Sequence, residues 1–247
     1  MAETIRAALA AVFALAVVPA AVGQPPAGPP ARVVVKLGGL DWRIKDSRTR
    51  KVGPGPNWFS AENVIPDANG SVLLRATGRD GGCVSAEIVA SPNLGYGTYK
   101  FSVGSNLDDM AKNLVLGLFT WDDTSAESFH REIDVELGRW NQEGNADAQY
   151  VIQPYTVPRN IVRFSLPRGL RGSVYSFTWA PDRASFRGEG VGPSGERTLI
   201  QEHVFERMIP EPGREQARIN LWCMDSKAPA GGTTEVVLTG FEFSPLR

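Results

Sequence analysis

A chain of 247 residues, 42% apolar and 21% charged, is long enough for one large domain and too apolar for a disordered segment. Its formal net charge of -1 gives no electrostatic reason to bind nucleic acid. Two cysteines can build neither a cysteine-rich zinc site nor a disulfide framework, and 26 glycines with 18 prolines favour many turns between short strands.

From Ala7 to Val22 every residue is apolar, small or proline. This run falls short of the ~20 residues of a membrane span and suits the core of an export signal. Ala21, Val22 and Gly23 fit cleavage before Gln24. Residues 1–23 are therefore expected to be a signal peptide, against the alternative of an uncleaved anchor, and the proline-rich residues 24–31 a linker. A secreted or periplasmic protein follows, with no stable membrane insertion after cleavage.

Beyond the linker, strand-like runs recur between turn signals. In chain order they are ARVVVKL, GSVLLRATG, VSAEIVAS, GTYKFSVGS, NLVLGLFTW, REIDVELGRW, AQYVIQPY, NIVRFSLP, SVYSFTW, ASFRGEG, RTLIQEHVF, ARINLWCM and TEVVLTGFEF. Short strands spaced ~8–12 residues apart predict an all-β sandwich or barrel, here one domain over 32–247. The strict alternation of TYKFSV and TGFEFS predicts one buried face and one wet or functional face.

The segment HREIDVELGRW carries the chemistry. Glu132, Asp134 and Glu136 are spaced by two, so a strand projects all three from one face and Ile133, Val135 and Leu137 from the other. Three acids on one strand face repel one another unless a proton is shared or a function uses them. Two carboxyl groups flanking a sugar bond are what glycoside hydrolysis needs, one ionised and one protonated. The alternatives are a solvated acidic face or a calcium site built from the same oxygens.

EIDVE followed by LG, among short strands, resembles glycoside hydrolase family 16 in the regular E-x-D-x-E form of lichenases and xyloglucan endotransglycosylases. SAEIVASPNLGYGTYKFSV is similar to the family's strand–GYG–strand hairpin, NLVLGLFTW to the strand before the signature, VYSFTWAPDRASF to a further segment, and INLW to a late strand. The resemblance implies a concanavalin A-like β-jelly-roll sandwich of two bent antiparallel sheets with a concave substrate cleft. It implies a retaining endo-β-glycosidase that hydrolyses or transglycosylates a β-linked polysaccharide such as a β-glucan or galactan. Glu132 matches the nucleophile, Glu136 the general acid/base, and Asp134 the acid that assists the nucleophile. The other reading on the same fold is a non-catalytic carbohydrate-binding protein. No cofactor is expected beyond a structural calcium ion, and the partner is the polysaccharide, met by a monomer.

Sugar CH faces pair with flat aromatic rings, and polar groups read the hydroxyls. Trp222 and Asn220 share parity in INLW and match cleft positions of the family. Trp121 precedes the signature strand, Trp179 lies in SFTWAP, and Glu87, Tyr96 and Tyr99 flank the GYG hairpin. Trp58 lies where the family often places a loop over the cleft. His130 shares parity with the acids and is expected on the cleft wall as a hydrogen-bond donor. Arg139 is expected near the cleft end, contacting a glycan or pairing with an acid. Phe186 stands where many members have a tryptophan. His203 is read as structural or exposed. By parity Cys83 faces the cleft and Cys223 faces away, so a disulfide between them requires a break in the alternation of GGCVSAE.

Overall fold

The computed structural model describes residues 33–247 other than Arg48 and Gly81. The expected signal peptide and linker lie outside the described residues. In chain order the strands are β1 (Val34–Leu37), β2 (Leu40–Ile44), β3 (Trp58–Phe59), β4 (Val64–Pro66), β5 (Val72–Arg79) and β6 (Gly82–Asn93). They continue with β7 (Gly97–Val103), β8 (Leu114–Trp121), β9 (Ile133–Gly138), β10 (Ala148–Ile152) and β11 (Ile161–Phe164). The last five are β12 (Gly172–Trp179), β13 (Ala184–Val191), β14 (Arg197–Phe205), β15 (Gln216–Cys223) and β16 (Thr233–Pro245).

These strands form the expected jelly-roll sandwich. The front sheet runs β11–β10–β9–β8–β15–β6–β2–β1, and the back sheet runs β5–β16–β7–β12–β13–β14. Pairing is antiparallel except where β3 meets the start of β6. Period-two alternation sets what each face carries. Leu114, Leu116 and Leu118 of β8 and Ile133, Val135 and Leu137 of β9 point into the core. Tyr99, Phe101, Phe177 and Phe241 meet them from the back sheet. Tyr99 stacks on Phe177 with ring centroids 4.7 Å apart, and Trp42 meets Phe241 edge-on at 5.1 Å. Each such fully buried ring stabilises the sandwich by about 1.5–3 kcal/mol. The β1–β2 hairpin turns through Gly38 and Gly39, at φ 60° and 80°. A Cβ at Gly38 would lie 1.8 Å from the Phe241 carbonyl oxygen, so only glycine fits there.

Strand β6 belongs to both sheets. Gly82, Cys83 and Val84 pair with β5 of the back sheet, and from Ala86 onward the strand pairs with β15 of the front. Its core residues are Cys83, then Ala86, Ile88 and Ala90, so the alternation slips by one at Val84–Ser85. Simple parity therefore misplaces Cys83. The crossing turns its side chain inward, where it forms a disulfide with Cys223 at a Cα–Cα distance of 6.2 Å.

Candidate active site

The outer face of the front sheet is assembled in rows by strand register. Arg163, Gln149, Glu136, Gly117, Asn220 and Glu87 lie side by side across β11, β10, β9, β8, β15 and β6. The next row is Ile161, Val151, Asp134, Phe119, Arg218 and Val89. Glu132 stands one step beyond, just ahead of β9, where its carbonyl still accepts from the Gln153 amide at 3.2 Å. The three acids thus share one face of one strand, as the spacing predicts.

Their surroundings differ. Asp134 is 3% exposed, while Glu132 and Glu136 are half-buried. The Gln153 amide donates to Asp134 Oδ2 at 3.1 Å, and Asp134 and Glu132 are hydrogen-bonded to each other. Gln149 donates to Glu136 Oε2 at 2.5 Å and accepts from Arg163 Nε at 3.1 Å. The Trp140 indole also donates to Glu136.

Burial raises the proton affinity of all three groups. The Glu132 carboxyl is pushed up to about 8 by burial and by the charge of Glu136, against the hydrogen bond from Asp134 and the nearby charge of Arg218. Asp134 is raised well above the usual range by burial and by both glutamates. Burial raises Glu136 too, opposed by Gln149, Arg163 and Trp140. Three carboxyl groups this close cannot all ionise. Asp134 is raised by the charges of both glutamates as well as by burial, and its hydrogen bond to Glu132 favours the carboxylate form of Glu132.

The chain between β8 and β9 is pinned. His130 Nδ1 donates to the Asp122 carbonyl at 2.8 Å, and the Asp122 amide donates to the His130 carbonyl at 2.7 Å. Phe129, His130 and Arg131 have φ of 48°, 57° and 53°, a left-handed run that ends the strand alternation before Glu132. Parity with the acids therefore does not reach His130. Its ring lies flat on Trp121, 3.9 Å away with planes 8° apart. The Trp121 indole donates to Asp123 Oδ1 at 3.0 Å.

The other expected residues divide into two groups. Asn220 and Trp222 lie on the outer face, 2% and 8% exposed. Asn220 Oδ1 accepts from the Gly117 amide at 3.2 Å, and Trp222 lies beside Val115 and under the turn at Gly55. Glu87 is on the same face but is held by Lys45 at 2.8 Å and Arg218 at 3.3 Å. Trp58 packs beside Gly82 with Lys51 Nζ 4.2 Å from its ring centre.

Four expectations need correction. Tyr99 and Trp179 are fully buried core residues, because their strands belong to the back sheet and they occupy its inward positions. Tyr99 donates to the Gly95 carbonyl and Trp179 to the Pro210 carbonyl. Tyr96 is packed against that core, edge-on to Trp179 at 5.3 Å. Arg139 has inward parity just past the end of β9, away from the cleft, and of its two expected roles it takes the pairing with an acid, placing two nitrogens on Asp147. It lines a separate cavity of about 470 Å³ with Leu107, Met110, Asp147, Leu166 and Arg168. Phe186 likewise lies in the core, stacked on Tyr150 at 4.8 Å, so the missing indole at that position does not alter the outer face.

Sequence reasoning missed Gln149, Gln153, Arg163 and Arg218, while Trp140, which follows ELG in the sequence, is expected near the cleft end and does reach Glu136. A signal for two of them was present: E-x-D-x-E is followed by Q-x-V-x-Q, and an antiparallel hairpin between these runs sets Gln149 against Glu136 and Gln153 near Glu132. Among the described residues, no group of three or more His, Cys, Asp or Glu side chains is arranged to hold a metal ion. Among them, too, no helix is long and apolar enough to cross a membrane.

No family model matches this chain, and no curated protein matches it. Solved structures do. The β-glucanase of Bacillus licheniformis is 18% identical with a TM-score of 0.58, over 83% of this chain and 92% of that one. A β-1,3-1,4-glucanase (lichenase) from a mouse hindgut metagenome is 16% identical with a TM-score of 0.59, over 83% and 93%. A non-specific endo-β-1,3(4)-glucanase of glycoside hydrolase family 16, crystallised with an oligosaccharide, is 12% identical with a TM-score of 0.61, over 85% and 90%. The chain has the fold of family 16 glycoside hydrolases.

Proposed function

We propose that this protein is a retaining endo-β-glycosidase that cleaves a β-glucan. The observation that carries this reading is the graded set of carboxyl groups on one strand face. Glu132 accepts a hydrogen bond from the proton-bearing Asp134, and Glu136 is held by neutral amide and indole donors. The glucanases with the same fold support the choice of substrate class.

In this reading the Glu132 carboxylate attacks the anomeric carbon and a glycosyl ester forms. The bond to the leaving sugar breaks, and protonated Glu136 gives its proton to the departing oxygen. Glu136, now ionised, takes a proton from water or from another sugar's hydroxyl, and that oxygen displaces Glu132 with net retention. Asp134 keeps Glu132 charged and oriented before attack and relinquishes it as the ester forms. The carboxyl groups must act ~5–5.5 Å apart. Alternate residues four apart on a strand are about 13 Å apart at Cα, so both glutamates lean inward over Asp134, helped by strand twist.

The apolar run at 7–22 supports export of the mature chain from Gln24, and N-terminal sequencing of the exported protein tests that point. For the activity, the test is release of reducing ends from mixed-linkage β-glucan, laminarin, xyloglucan and a galactan. Cleavage within the β-glucans is the expected result. Sugar binding without any cleavage would favour a non-catalytic carbohydrate-binding protein instead.

A further inference from the structure

The Glu136 row ends on a guanidinium that the carboxyl chemistry above does not use. Gln149 is 6% exposed, so both ends of its side-chain amide need protein partners. It lies between Glu136 on β9 and Arg163 on β11, its register partners in the two neighbouring strands. Arginine has donors and no acceptor, so the atom that meets Arg163 Nε at 3.1 Å is the amide oxygen. The amide nitrogen then lies on the other side, 2.5 Å from Glu136 Oε2. Among the described residues no other side chain donates to that amide oxygen, and this bond is the one side-chain hydrogen bond of Arg163.

The two protonation states of Glu136 need this arrangement to different degrees. An ionised carboxylate only accepts, so it draws the amide nitrogen toward itself unaided. A protonated carboxyl also donates. A reversed amide would present its oxygen to Glu136 Oε2 and hold the acid's proton within the row. Reversal would also set the amide nitrogen against Arg163 Nε, donor against donor, and so Arg163 opposes it. The Trp140 indole, the other neighbour bonded to Glu136, is itself a donor and cannot take the proton.

We propose that Arg163 is a positioning residue for Glu136: by claiming the Gln149 oxygen it keeps that amide a donor, so that protonated Glu136 carries its hydrogen on Oε1, available to a departing oxygen. The proposal rests on the reading of Glu136 as proton donor for its purpose, and not for its first test. Arg163 is exposed on the outermost strand of the front sheet, so replacing it removes no core contact.

That test observes the Gln149 side-chain amide in the resting protein, with nitrogen-15 glutamine and assignment by loss in Gln149→Leu. Carbon-13 at the Glu136 carboxyl reads its protonation. An amide proton bonded to a carboxyl group resonates downfield. In the wild type this signal should persist whether Glu136 is ionised or protonated. In Arg163→Met it should persist while Glu136 is ionised and vanish on protonation. Arg163→Lys, which also offers donors alone, should keep it in both states. A residue that merely held the strand edge would affect both states alike. A signal kept by Arg163→Met beside protonated Glu136, or lost there equally in Arg163→Lys, overturns the proposal. Arg163→Val, suited to a strand, gives the same reading if Arg163→Met does not fold.

The second test is kinetic. On a β-glucan oligosaccharide Arg163→Met should lower kcat about tenfold with KM unchanged, the scale of one hydrogen bond to a charged group. An aryl glycoside with a good leaving group should be spared, and an equal loss on both substrates overturns the role in proton donation. The amide measurement needs no substrate, so a protein inactive on every glycan would refute the proposed function while the amide still decided the role of Arg163.

Discussion

Asn220 fills the space that a side chain at Gly117 would need: a Cβ there would sit 2.6 Å from Asn220 Oδ1. The two residues are register partners on β8 and β15, and the Gly117 amide donates to the Asn220 side chain. Gly117 is thus the gap in the Glu136 row that lets an amide lie flat on the floor.

Gly117→Ala should force Asn220 out of that position. Overpacking of this kind costs about 1–3 kcal/mol. Urea denaturation should show the loss, and kcat/KM on a β-glucan should fall with it. A variant with wild-type stability would show that the sheet absorbs the methyl group without moving Asn220.

The carboxyl roles predict opposite chemical rescues. Glu132→Ala should abolish turnover, with azide attacking the opened face to give an inverted α-glycosyl azide. Glu136→Ala should slow cleavage of natural glycans by about 10²–10⁴-fold and spare substrates with good leaving groups. Azide would then trap the intermediate with retained β-configuration. Near-normal hydrolysis by both variants would remove these residues from the reaction.

The three raised carboxyl groups titrate as one coupled set and link folding to pH. A proton held more tightly in the folded chain than in the unfolded one stabilises the fold at low pH. For Asp134, the proton bearer of the set, that contribution is complete below the ordinary value of 3.8 and is lost as pH rises through its raised value. The unfolding free energy should therefore decline as pH rises above about 4. Asp134→Asn should flatten the decline without removing it, since its two neighbours are raised as well. Denaturant titrations at several pH values check the slope, and an identical slope in the variant would contradict the assignment.

The Cys83–Cys223 disulfide closes a loop with a sequence separation of 140. Such a loop restricts the unfolded chain strongly, and the chain-entropy scale gives about 5 kcal/mol, with measured bridges commonly nearer 2–4 kcal/mol. Unfolding with and without a reductant, alongside the Cys83→Ser/Cys223→Ser double variant, measures the contribution. Two titratable thiols in unreduced, unfolded protein would exclude the bridge.

Much of the fold was legible because alternation is a local signal. The inward Leu114, Leu116 and Leu118 and the acids of β9 can be read from spacing alone. The misreadings arise where a neighbour in space decides the outcome. Tyr99 and Trp179 carry the aromatic character of a sugar platform, but the sheet to which β7 and β12 belong makes them core. His130 leaves the strand pattern through left-handed backbone, and Cys83 through the crossing of β6. Arg218 and Glu87 are 131 residues apart, and no local pattern announces their pairing.

The strand order has a consequence for how this chain is made. Strand β15 lies between β8 and β6, and β16 lies between β5 and β7. Both central strands follow in sequence every strand that they join, so a nascent chain ending before Gln216 has neither sheet closed and carries four unpaired strand edges. Folding must wait for these two strands, and contacts so distant in sequence make it slow. Until then the open edges at β5, β6, β7 and β8 invite pairing with other chains. A ribosome-stalled chain lacking β15 and β16 should remain sensitive to protease along its whole length, and the fold should acquire resistance only after the final strand emerges.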